Sequence, residues 1–220
     1  MKSSIEIYLD TLRSVSEEAK EFFREKHLAR ENSLQLSRQM VQLSSKTIRS
    51  AHRGEFDEAY QLLGSINILM DKLLEIENLH PDVFYVGFVQ DAQKEYSEAS
   101  ATLAFIMGVP LPSPKDLNMS YAPYLNGLGD AIGEMRRYIL DCLRRGEISR
   151  CEEILSLMDQ IHMELFTMDF PEAITGGLRR VTDAMRGILE RTRADLTIAF
   201  RQAELESRLT QIWDDIGEVK

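Results

Sequence analysis

The chain has 220 residues, with 26 Lys and Arg against 36 Asp and Glu, a formal net charge of -10 and a pI of about 5.0. That length suits one elongated domain over residues 1–220 rather than two independent ones, and the acidity excludes a surface that coats nucleic acid everywhere, so any polyanion site must be a local basic patch. Cys142 and Cys151 are too few for a disulfide framework; with no apolar run near the roughly 18 residues of a membrane span and no secretory h-region over residues 1–12, a cytoplasmic protein with no membrane association is expected.

Ser3 with Glu6 predicts a capping box opening a first long helix, whose Ile5, Tyr8, Leu9, Leu12 and Val15 recur at helical spacing. The pattern runs on through Phe22 and Phe23 to Ile48 and stops at Gly54. Phe56, Ala59, Leu63, Ile66, Met70 and Leu73 mark a second helix to about Asn78. Pro81, which lacks the N–H that a first turn leaves unpaired, starts a third that reaches about Met107. After the proline-rich stretch 108–120, helices over 121–145 and 147–168 flank Gly146. A last long helix is predicted from near Pro171 to about Ser207. The fold class is all-α.

Leu209, Ile212, Trp213 and Ile216 then form an apolar seam. It either folds back on the core or serves as a self-association surface anchored on the tryptophan.

The third helix places Glu95 and Glu98 three residues apart, on adjacent positions of one face. At 100° per residue, Glu95 falls within roughly 40° of the stripe formed by Phe84, Phe88, Ala99 and Ile106, an expensive place for an unpaired charge. The next helix repeats the theme with Asp130 and Glu134, four apart among Gly127, Gly129 and Gly133. Three glycines weaken a helix by roughly 1 kcal/mol each, and close approach of a helix or a substrate backbone is the usual compensation. If the two helices face each other, Glu95, Glu98, Asp130 and Glu134 form an all-oxygen set that selects Mg²⁺ or Mn²⁺ over zinc and suits phosphodiester hydrolysis. A solvated acidic face is the plainer alternative.

Residues 20–53 carry eight Lys and Arg against three Glu, a local +5 that leaves -15 for the rest of the chain. Arg24, Arg30, Arg38, Lys46, Arg49 and Arg53 are the expected nucleic-acid contacts, with His27 and His52 as additional donors. Pairing of these cations with acidic neighbours is the alternative.

Three segments carry a resemblance to the translin family, closer to translin-associated factor X (TRAX) than to translin. They are Leu36, Ser37, Arg38, Ser45, Lys46, His52 and Arg53 (LSR, SK, HR); Glu95, Tyr96, Glu98 and Ala99 (EYxEA); and Gly127, Asp130, Gly133, Glu134 and Arg137 (GxxDxxGExxR). The resemblance implies a seven-helix fold that assembles into a closed oligomer, binding RNA or single-stranded DNA on its inner surface. For TRAX-like members it implies metal-dependent endoribonuclease activity with Glu95, Glu98, Asp130 and Glu134 as the catalytic, metal-holding acids. The chain lacks the basic localisation stretch and the long insertion between the acidic helices of eukaryotic members. A homo-oligomer, an octamer by family analogy, is therefore the expectation. Two other readings stay open: a non-catalytic single-stranded RNA- or DNA-binding shell, and a helical scaffold that binds no nucleic acid.

Overall fold

A computed structural model describes the backbone of residues 4–218 and the side chains of 5, 6 and 8–213. These form eight helical segments: α1 (Ser4–Arg53), α2 (Phe56–Leu79), α3 (Pro81–Phe84), α4 (Gly87–Met107), α5 (Tyr121–Arg145), α6 (Ile148–Phe166), α7 (Glu172–Thr175) and α8 (Leu178–Glu218). No strand occurs among the described residues.

The terminators act as the sequence suggests. Gly54, Gly108 and Gly146 adopt left-handed φ of 76°, 71° and 79° after α1, α4 and α5, where a side chain would be strained. Two boundaries differ from expectation. The helix opened by Pro81 breaks after one turn because Val86 is extended (φ -77°, ψ 154°), and α4 restarts at Gly87. Pro171 caps only the single turn α7; Gly176 and Gly177, both at positive φ, delay α8 to Leu178. The proposed capping residue Ser3 lies outside the described residues.

α4 and α5 lie at the centre of the body, with α1 and α2 on one side and α6 and α8 on the other. The core runs continuously through them, and Met40, Ile66, Met70, Leu73, Ile132, Met135, Ile139, Met158 and Met185 are almost fully buried. Each such apolar side chain contributes about 1.5–3 kcal/mol relative to exposure. The buried face of α4 includes Ala92, Ser97, Ala99, Ser100, Ala101 and Ala104, whose small size lets neighbouring helices come close. Cys142 and Cys151 are buried and unpaired, serving as packing residues.

The outer ends of the two longest helices leave this body. On α1, Ile5, Tyr8, Leu12, Val15, Phe22 and Phe23 are exposed. α8 buries Leu178, Thr182, Met185, Leu189, Thr192 and Leu196 at three- and four-residue spacing, then runs on unbroken past Phe200. The seam at its end does not fold back: Leu209, Ile212 and Trp213 are exposed, Trp213 at 72%. The side chain of Ile216 lies outside those described. No described helix is long and apolar enough to cross a membrane.

Candidate active site

Gly127 fixes how closely the two acidic helices approach. A Cβ on it would lie 2.3 Å from the Lys94 carbonyl oxygen, 2.6 Å from Ser97 Cβ and 3.0 Å from the Glu98 nitrogen. The α5 backbone is thus in contact with the α4 backbone beside the acid pair. Ser97 Oγ closes the contact by donating to the Tyr124 carbonyl at 2.9 Å. Gly129 does the same work on the other side, where a Cβ would sit 2.3 Å from Val181 Cγ1 of α8. Gly133 is different, for nothing lies within 4 Å of its Cβ position.

This contact sets the pair from α4, Glu95 and Glu98, against Asp130 and Glu134 from α5. All four side chains are half-buried, and their charges meet at Glu98. Burial, then the charges of Glu95, Asp130 and Glu134, push the Glu98 carboxyl up to about 8, with Lys94 opposing. Glu95 is raised as well, mainly by burial, with Asp130 and Asp91 adding to it. Glu95, the acid on the core-facing strip, is thus partly desolvated.

The α5 acids are held differently. Asp130 Oδ2 accepts from Lys94 Nζ at 2.8 Å. Burial opposes the Lys94 charge, but Asp130, Glu95 and Asp91 outweigh it and raise that amine. Glu134 Oε2 accepts from His52 Nε2 at 2.6 Å and lies 3.5 Å from Arg137 Nη1. The His52 hydrogen bond, with Arg137 adding to it, holds Glu134 below the ordinary carboxylate range against the effect of burial. No group of three or more His, Cys, Asp or Glu side chains among the described residues is set to hold a metal ion. The donor types suit a hard divalent cation: the four candidates are all carboxylates, and Glu98, on which the charges of the other three bear, is relieved by a proton or a positive charge. A groove of about 510 Å³, lined in part by Tyr85, Gln90, Asp91, Lys94, Tyr121 and Asn126, opens beside Lys94.

The basic segment divides. All six candidate contacts are exposed on α1, but Arg24 pairs with Glu21, Arg30 with Glu31 at 2.6 Å, and Arg53 with Glu55 and Glu58. Arg38, Lys46 and Arg49 form no ion pair among the described residues. At 100° per residue, Arg24, Arg38, Lys46, Arg49 and Arg53 share an arc of roughly 80° on the helix, with Arg30 outside it. His27 is exposed, whereas His52 is not a surface donor: its side chain is only 4% exposed and is turned to Glu134.

Comparison with known proteins bears on the family and the fold. Among solved structures, AfC3PO matches with a TM-score of 0.77 and 35% identity over 86% of this chain and 98% of that one. AfC3PO is a translin-family protein. The chain belongs to the translin family. AfC3PO has also been solved with duplex RNA, and that structure matches at a TM-score of 0.78 and 34% identity over 86% of this chain and 97% of that one. A crystal structure of apo-NeC3PO matches at 0.75 and 22% identity over 90% and 98%, which speaks to the fold alone. An uncharacterized protein of Methanocaldococcus jannaschii is 27% identical over 188 residues, 85% of this chain and 83% of the relative. No family model matches the chain. The likeness of this translin-family chain to TRAX, read from its acidic motifs, fits that placement.

Sequence reasoning missed Lys94 and the true environment of His52. Lys94 stands directly before Glu95 and one turn ahead of Glu98, a position from which a cation can serve the acid face. His52 carries no comparable local signal, since its partner is 82 residues away.

Proposed function

We propose that this translin-family chain is a divalent-metal-dependent endoribonuclease that acts on single-stranded or short RNA within a homo-oligomeric shell. The observation that carries the reading is the setting of Glu95, Asp130 and Glu134 around Glu98, where their charges add to its burial, in a chain one third identical to a protein solved with duplex RNA. Glu95, Glu98, Asp130 and Glu134 would hold Mg²⁺ or Mn²⁺, with Asp130 turning from Lys94 and Glu134 using the oxygen that His52 leaves free. Such an ion supplies charge for a phosphate oxygen and lowers the pKa of water it binds.

The remaining work falls to the chain itself. Arg38, Lys46 and Arg49, free of ion pairs among the described residues, draw in and orient the phosphodiester backbone. Lys94, at the edge of the groove, sits where it can meet a phosphate once Asp130 turns to an ion. Gly133 leaves space beside the acids that a side chain would occupy. The exposed apolar ends of α1 and α8 supply surface for self-association, and an octamer is the assembly that family analogy suggests.

Labelled single-stranded RNA incubated with wild type, Glu95→Ala and Glu98→Gln, in Mg²⁺ and then EDTA, tests the reading. Cleavage by wild type that both the substitutions and chelation abolish is expected; cleavage that survives either overturns it. The second reading, a shell that binds single-stranded RNA or DNA without cutting it, draws on the engagement of Asp130 by Lys94. Salt-dependent RNA retention with no cleavage in any divalent metal is its signature.

A further inference from the structure

His52 occupies a buried position on α1 against Glu134 of α5. Its side chain is 4% exposed, and its Nδ1 is buried with no hydrogen-bond partner. An apolar side chain would fill the same space without leaving a polar atom stranded. What an apolar residue cannot do is donate a proton to Glu134. An ionised carboxylate only accepts, so Nε2 carries the hydrogen in the 2.6 Å contact. The bond falls on Oε2, the oxygen that Arg137 also approaches, and among the described residues Oε1 accepts none.

We propose that His52 is the positioning residue of the acid cluster: it pins one oxygen of Glu134 from α1 so that the other is presented, unengaged, toward a divalent cation shared with Glu98. The inference rests on the metal-site reading above and deepens it. It makes α1 a contributor to the site through its buried face, as well as through its basic one. Partners of this kind orient the ligand they touch, and their loss lowers metal affinity or activity by about 10- to 100-fold.

The test uses the full chain and three readouts: Mn²⁺ affinity from the free-ion electron paramagnetic resonance signal, thermal melting without metal, and RNA retention in EDTA. His52→Ala should weaken Mn²⁺ binding at least about tenfold and leave RNA retention in EDTA unchanged. His52→Gln, whose amide nitrogen reaches the place of Nε2, should restore affinity to within a few-fold of wild type. If His52→Ala unfolds the chain, the comparison of Gln with Leu, matched in size but with no donor, decides the matter: equal Mn²⁺ affinity in those two overturns the proposal. Wild-type affinity in a folded His52→Ala also overturns it and leaves the metal site standing. No Mn²⁺ binding by wild type would remove both this inference and the reading beneath it.

Discussion

The carbonyl oxygen of Lys94 and the α-carbon of Gly127 face each other so closely that a methyl group on the glycine would lie 2.3 Å from that oxygen. The acidic residues of α4 and α5 are therefore neighbours because of a backbone contact. Changing Gly127 to Ala must push the helices apart, an overpacking cost of about 1–3 kcal/mol. It exceeds the roughly 1 kcal/mol that alanine gains as a helix former. Gly127→Ala should melt lower than wild type and bind Mn²⁺ more weakly, as read by calorimetry and metal titration.

Gly133→Ala makes the opposite prediction from the same helix. With nothing within 4 Å of the new methyl group, the substitution should stabilise the chain, by about 0.5–1 kcal/mol. If RNA occupies the space beside the acids, cleavage should nonetheless slow while the melting temperature rises. A rise in both would show that the substrate does not approach this turn.

Glu98 gives the metal-free protein a pH dependence of known sign. Its folded carboxyl titrates near 8 against an ordinary value of 4.5, so the folded chain holds a proton that the unfolded chain gives up. The stability tied to that proton is complete below about 4.5 and disappears as pH climbs through about 8. Wild type should lose melting temperature across this window more steeply than Glu98→Gln. Added Mg²⁺ should recover more of it at the alkaline end, where the ion no longer competes with a proton.

The division of the basic residues can be tested by charge removal. Arg38→Gln with Arg49→Gln should weaken RNA retention and reduce the slope of log affinity against log salt by about 0.7 per lost phosphate contact. Arg24→Gln with Arg30→Gln should do less, since Glu21 and Glu31 already engage those guanidiniums. Equal effects from the two pairs would mean that the intrahelical ion pairs do not distinguish them.

Trp213, 72% exposed at the far end of α8, is the residue to alter for assembly. Trp213→Glu should reduce the mass seen by light scattering without lowering the melting temperature of the core helices. An unchanged mass would place the contact between copies elsewhere.

Much of the helical layout is legible in the chain because Gly54, Gly108, Gly146 and Pro81 act locally, through φ and a missing N–H. The acids are legible for a similar reason: Glu95 interrupts an apolar stripe, and Asp130 lies between glycines. The break at Val86 is not, since Phe84 and Phe88 keep helical spacing across it and only the backbone angle of one residue changes. The delayed start of α8 depends on two consecutive glycines that could equally extend a loop. His52 is the clearest case of all. Its surroundings are set by how α1 lies against α5, and neither helix carries a mark of the other.

The single unbroken α1 has one more consequence. Fifty residues of helix extend roughly 75 Å, and from Ile5 to Glu25 every described side chain retains contact with solvent. A helix gains most of its persistence from what it lies against, so this stretch has little of its own to keep it wound. Its backbone amides should exchange deuterium almost as fast as those of a free peptide at high dilution, and slow markedly as the concentration rises. The handle of the molecule would then be rigid only in company.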